Sequence, residues 1–222
     1  MKHLAWIPIM LALFACRTLP PVSPQNADSA AGVATVRLKT PIGPNEYADE
    51  IYFINLDEAK NYKTTKFLKS TYFNGSRVYM LNAAPGRYAI VGFKDLLASN
   101  NRKQVRYTFF SLQSIKKTEF TIEAGKVNYL GIVDLRTNST RIMPADEHAQ
   151  YYADRIASSA SQVWGESGVL ESGARMLIFG DAISVVQDVT IVDRSEPVVN
   201  EMQADVADDW AGTPWETMLK SP

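Results

Sequence analysis

Few side chains in this sequence are equipped for chemistry, and most of them stand alone. Beyond the first few residues there is one histidine, His148, and the whole chain has one cysteine, Cys16. A zinc site needs several Cys or His ligands, and a Ser-His-Asp site would have to use His148. That residue follows Asp146 and Glu147 on the predicted first turn of a helix, where it is expected to be solvated. Gly165-Glu166-Ser167-Gly168 lacks the spacing of a nucleophile elbow. Ser114-Ile115-Lys116-Lys117 matches Ser-x-x-Lys, a pattern in which the lysine activates the hydroxyl. Stacking the two groups needs a helical turn. The tetrapeptide is expected between two strands, with Lys116 and Lys117 in a turn, and no Lys-Thr-Gly element accompanies it. Phosphate-cradling glycine loops and acidic calcium-loop spacing are both missing. No catalytic residue, metal, cofactor or nucleic-acid partner is expected.

Two groups of residues suit binding instead. Lys60, Lys63, Lys66 and Lys69 recur every three residues. They offer a basic edge to lipopolysaccharide phosphates, an acidic glycan or a protein; the plainer meaning is a solvated run guarding an edge strand. Trp164, Trp210 and Trp215 are the candidate sugar platform. Tryptophans at helical spacing more often belong to a core, and Trp210 and Trp215 are expected to pin the C-terminus onto the body.

These groups are carried by a chain whose first residues read MKHLAWIPIMLALFAC. Lys2 supplies a positive start, and Leu4 to Ala15 is an apolar run broken only by Pro8. As a helix it rises about 18 Å, short of a hydrocarbon core of roughly 30 Å. A positive start, a short apolar stretch and a small residue at its end describe a secretory signal over residues 1–15. Cys16 follows at once, and a lone cysteine in a secreted chain points to modification or an intermolecular link. Leu13-Phe14-Ala15-Cys16 resembles the lipobox of bacterial lipoproteins. That resemblance implies cleavage before Cys16, a diacylglycerol on its thiol and a fatty acyl group such as palmitate on its new amino group. Phe14 is bulkier than is usual there. Arg17 stands where an aspartate would retain such a protein at the inner membrane, so the resemblance implies the outer membrane. Stable anchoring takes more than one acyl chain, and such a cysteine carries two or three.

Residues 16–32 hold Pro20, Pro21 and Pro24 among Ser, Asn, Asp and Ala, without apolar period, and are expected to form a flexible tether. Residues 33–136 are read as the main domain and 137–222 as an extension packed on it. The first carries sixteen Lys/Arg against nine Asp/Glu, the second five against fourteen. Opposed charge suits either an acidic partner for the basic half or two halves that neutralise each other, and the second reading is preferred.

Within 33–136, short apolar runs alternate with turns, about eight strands in all, which predicts a mainly β fold: a sandwich or barrel. Asn74-Gly75 marks a hairpin and Pro85-Gly86 a turn. Tyr88 to Phe93 is apolar on both faces, as a doubly covered central strand would be. Thr118 to Glu123 alternates, with Phe120 and Ile122 inward. Beyond Arg136, Ala149 to Trp164 has helical spacing, Met176–Phe179 and Ile183–Val192 are predicted strands, and a helix from Ser195 presents Val198, Val199, Met202, Val206 and Trp210 on one face. Thr213-Pro214-Trp215-Glu216 reads as a capping box. Two to three C-terminal helices are therefore expected on the β-sandwich.

Ala84-Pro85-Gly86-Arg87-Tyr88 and Phe120-x-Ile122-x-Ala124-Gly125-x-x-Asn128-Tyr129-Leu130-Gly131 resemble segments of prealbumin-like and carboxypeptidase-regulatory-like sandwich domains, the second of them as found in envelope lipoproteins. The likeness implies a sandwich fold and says almost nothing of activity. The expected protein is a lipid-anchored envelope protein with a non-catalytic binding or structural body. Its partners would be the membrane, through Cys16, and an envelope protein or glycan. Glycan or lipopolysaccharide binding is the alternative, and a hydrolase built on His148 or Ser114 the remote one.

Overall fold

A computed structural model describes residues 22–39, 48–64, 66–99, 102–136, 147–148, 151–152, 154–155, 182–187 and 189–220. In chain order the strands are β1 (Ala30–Lys39), β2 (Glu50–Asn55), β3 (Leu68–Lys69), β4 (Tyr72–Asn74), β5 (Arg77–Ala83), β6 (Gly86–Ser99), β7 (Arg102–Phe110), β8 (Phe120–Ile122), β9 (Val127–Arg136), β10 (Ala182–Gln187) and β11 (Val189–Asp193). Helix α1 (Leu112–Lys117) lies between β7 and β8; α2 (Glu196–Trp210) and a 3₁₀ helix (Pro214–Lys220) close the chain. The first sheet runs β11-β9-β1-β5-β4 and the second β10-β7-β6-β2-β3, with β8 also paired to β6. The fold is mainly β, two sheets with a C-terminal helix packed on them, as the alternating runs predict.

Period-two alternation explains the layers. Along β1, Ala30, Ala34 and Val36 join the main core cluster, which they share with β2 and β6 of the second sheet. Ala31 and Val33 point the other way, into a second cluster with Met202, Val206, Trp210 and Trp215. β5 divides alike, with Val78 and Met80 between the sheets and Tyr79 and Leu81 under α2. The first sheet is thus apolar on both faces and needs α2 as its outer cover. Tyr88 to Phe93 of β6 is buried throughout, as its composition implies. Gly131, at φ +99°, lies close against β11: a Cβ there would sit 2.2 Å from the carbonyl oxygen of Asp193.

One carboxylate fixes α2 on the sheet. Asp209 is 3 % exposed. It accepts from Arg77 Nε at 2.6 Å and Arg77 Nη2 at 2.8 Å, from Asn74 Nδ2 at 2.6 Å, and from the Tyr79 hydroxyl. Arg77 also reaches Asp205 at 3.2 Å. Planar guanidinium and carboxylate meet here in the bidentate geometry that suits both. These pairs join the basic segment to the acidic one, as does Lys63 with Glu147, so the halves do neutralise each other at these contacts.

Several local expectations change. In the β4–β5 hairpin, Asn74 pairs with Arg77, so the turn is Gly75-Ser76, with Gly75 at φ +58°. Asn74 is the last strand residue, and its side-chain amide donates to Asp209. The turn expected at Lys116–Lys117 is helical, since Ser111 caps α1 by accepting from Ser114 N. Ala30 and Ala31, expected in the tether, are fully buried strand residues. In the predicted capping box, Glu216 reaches back to Gly212 N and Thr213 Oγ1 donates to the Trp210 carbonyl. Helical residues occur at 147–148, 151–152 and 154–155. Met176–Phe179, Trp164 and Cys16 lie outside the described residues.

Burial holds several phenols protonated. Burial, then the bond to Asp209, raises Tyr79; burial raises Tyr52 and Tyr152, and pushes Tyr129 up to about 12. An unfolded tyrosine ionises near 10. Each folded value lies above that, so the stability these groups contribute is full below about pH 10 and is lost as pH rises through the folded values. Urea midpoints are expected to hold level to about pH 9.5 and then fall, with tyrosinate absorbance appearing together with unfolding. Complete tyrosine ionisation near pH 10 in a still-folded protein would contradict this.

Candidate binding cleft

The chain changes sheets between β3 and β4, and two hydroxyls stitch the crossing. Ser70 Oγ accepts from Ile51 N at 3.0 Å, and Thr71 Oγ1 accepts from Leu81 N at 2.8 Å. Thr71 fills the place of a strand neighbour that β4 is too short to supply. Beside this crossing lies a cleft of about 280 Å³ between the ends of β2 and β5, β3 and the start of β6. Met80, Leu81 and Tyr88 give it buried apolar wall; Glu58, Lys66 and Lys69 give it exposed charge; Asn55 and Asn82 add amides.

Two of the four candidate lysines therefore reach one site. Lys66 pairs with Glu58 at 3.6 Å, and Lys69 pairs with Glu50 at 3.0 Å while lying 5.7 Å over the Tyr52 ring. Lys63 is turned to Glu147 and the Tyr151 ring. Lys60 and Lys63 bond to each other through their backbones, with Asn61 and Tyr62 at positive φ between them, the geometry of a tight hairpin turn. Three of the four lysines have a carboxylate partner, so the stripe is not an unopposed cationic edge.

For two of its three tryptophans the sugar platform is corrected; Trp164 lies outside the described residues. Trp210 and Trp215 are fully buried, with ring centroids 5.4 Å apart, and present no face to a sugar. They are core, in the pinning role also foreseen for them. Trp215 Nε1 donates to the Val22 carbonyl at 2.6 Å.

His148 is buried, not solvated, with Nε2 3.4 Å from the Asn61 carbonyl oxygen. Ser114 is buried too. Because α1 is helical, Ser114 and Lys117 lie on one side of it and grip the backbone of one residue: Ser114 Oγ accepts from Val189 N at 2.9 Å, and Lys117 Nζ donates to Val189 O at 3.0 Å. The Ser-x-x-Lys spacing here clips β11 to α1. Neither His148 nor Ser114 lines the cleft. Among the described residues, no group of three or more His, Cys, Asp or Glu is placed to hold a metal ion.

The cleft was missed at the sequence level because it joins segments far apart in the chain. Asn82 carried one usable signal: asparagine before Ala-Ala-Pro-Gly suits the positive φ of 55° that it adopts. At about 280 Å³, with an apolar wall and both signs of charge, the cleft lies just below the usual size range of ligand sites. No protein family, no curated protein and no solved structure matches this chain.

Ser114→Ala is expected to cost about 1–3 kcal/mol in urea unfolding, because it leaves the buried Val189 N–H without its acceptor. A serine-directed fluorophosphonate is expected to leave no adduct at Ser114 by mass spectrometry. An adduct there, with stability unchanged, would contradict the clip.

Proposed function

We propose that this protein is an envelope lipoprotein, held at the outer membrane by acyl chains on Cys16, whose β body acts as a non-catalytic binding or structural module. One observation carries the reading: the only cysteine in the chain directly follows a short apolar leader with a positive start. The body supports it in one way: the Val22 carbonyl is bonded to Trp215, and only five residues stand between Cys16 and Val22. Among the described residues, no helix is long and apolar enough to cross a membrane.

The binding role rests on the mixed cleft, whose lining pairs no nucleophile with a base: Thr71 Oγ1 is engaged with Leu81 N, and the Tyr88 hydroxyl donates to the Ala84 carbonyl. We assign the sandwich to the prealbumin-like or carboxypeptidase-regulatory-like type, supported by Pro85-Gly86 leading into the buried β6. Glycan or lipopolysaccharide binding is a second reading. Lys66 and Lys69 at the cleft favour it, while their carboxylate partners and the loss of Trp210 and Trp215 weigh against it.

Expressed in a Gram-negative host with an alkyne fatty acid, the wild-type chain is expected to incorporate label and fractionate with membranes. Cys16→Ala is expected to lose the label and either keep its leader or appear in the soluble fraction. Recovery of the natural chain with an unmodified Cys16 thiol would overturn the proposal.

A further inference from the structure

From Val22 on, the segment expected to be a flexible tether is bound to the body. Beyond the Trp215 bond to Val22, Asn82 Nδ2 donates to the Ser23 carbonyl at 2.9 Å, and Gln25 N donates to Asn82 Oδ1 at 3.1 Å. Ser29 then closes a turn, its Oγ accepting from Gln25 N at 2.8 Å and Asn26 N at 3.1 Å. From Cys16 to Val22 there are six Cα spacings, a leash of at most about 20 Å. A tether free to Val33 would reach roughly 55–60 Å.

That difference decides whether orientation matters. The ten-residue β1 alone is about 30 Å long. A 55 Å leash would let the body tumble; a 20 Å leash is shorter than the body itself. The docking point is also at one end of the sandwich. Ala30 pairs with Ala83, and Ala31 with Val127, so the starts of β1 and β9 and the close of β5 share this end. Gly125 N donates to the Asp28 carbonyl there. At the other end, Val36 N donates to the Ser76 carbonyl and β1 runs on to Lys39.

We propose that the sandwich stands on the bilayer by this first end, with the Val22–Asp28 segment, the β8–β9 turn and the cleft that Asn82 lines next to the lipid headgroups, and the Gly75-Ser76 turn directed away. Val22, 42 % exposed, is an apolar side chain on that surface. The proposal rests on the lipid-anchor reading. The cleft is then presented to whatever lies at the headgroup layer, while the β4–β5 turn is open to the compartment.

The test uses the lipidated full chain, extracted from membranes and reconstituted in phosphatidylethanolamine/phosphatidylglycerol vesicles. With Cys16 acylated, a single cysteine introduced as Ala124→Cys or Ser76→Cys takes the only thiol-reactive donor dye, and an acceptor is placed on the headgroups. Energy transfer is expected to be stronger from position 124 than from position 76 at every acceptor density. Insertion of about twenty Gly/Ser residues after Arg17, adding roughly 25 Å of coil, is expected to remove the difference. Vesicle flotation separates the two claims. Protein that does not float overturns the anchor and this inference with it. Protein that floats with equal transfer from both positions, or stronger transfer from 76, overturns the orientation alone.

Discussion

The seating of α2 on the first sheet depends on the buried carboxylate of Asp209. Removing one partner of a buried, hydrogen-bonded ion pair costs about 3–5 kcal/mol, because the other charge is stranded. Asp209 lies on the inward side of α2 with Met202, Val206 and Trp210, so the helix has one rotation that satisfies both the apolar cover and the charge. From that rotation the rest follows in short steps. Trp210 packs on Tyr79 at 5.7 Å and on Trp215 at 5.4 Å, and Trp215 donates to Val22. The C-terminal helices thereby help to hold Val22, and Asn82 on β5 holds the residues that follow it.

The same clasp joins the basic and acidic segments of the chain. Arg77 is drawn from the basic segment, Asp205 and Asp209 from the acidic one. The bond to Asp209 holds the Arg77 guanidinium charge more firmly than usual, against the cost of its burial. Other charges pair within the basic segment: Arg87 with Glu119 at 2.9 Å, and Lys126 with Glu123, three residues before it, at 2.6 Å. What survives at the cleft is a mixed surface, suited to a partner of modest charge.

Elements with a strong period were legible in the sequence. β6 announced itself by being apolar on both faces, β8 by strict alternation, and α2 by Met202, Val206 and Trp210 at steps of four. Local hydrogen bonding decided the rest, and it leaves little periodic trace. Six residues of α1 are too few to show a period, and its cap Ser111 looks like any loop serine. The turn lies at Gly75-Ser76, one residue on from the Asn74-Gly75 signal, and Asn74 meets a side chain on α2 more than a hundred residues away, which no local pattern shows. Val22 to Asp28 reads as polar linker, yet it is docked by Asn82 and Trp215, neither of them near in sequence. Of the candidate site, Lys66 and Lys69 were legible; that they meet β5 and Tyr88 was not, because a cleft beneath a sheet crossing exists only in three dimensions.

Amide hydrogen exchange of Asp209→Asn against the wild type tests the clasp most directly. The substitution keeps the side-chain volume and removes the charge that positions α2. The account predicts faster exchange in α2 together with a smaller increase at Gln25, Asn26 and Ser29, since Trp215 is one of two anchors of the N-terminal segment and Asn82 is the other. Faster exchange confined to α2, with residues 25–29 as protected as before, would contradict it.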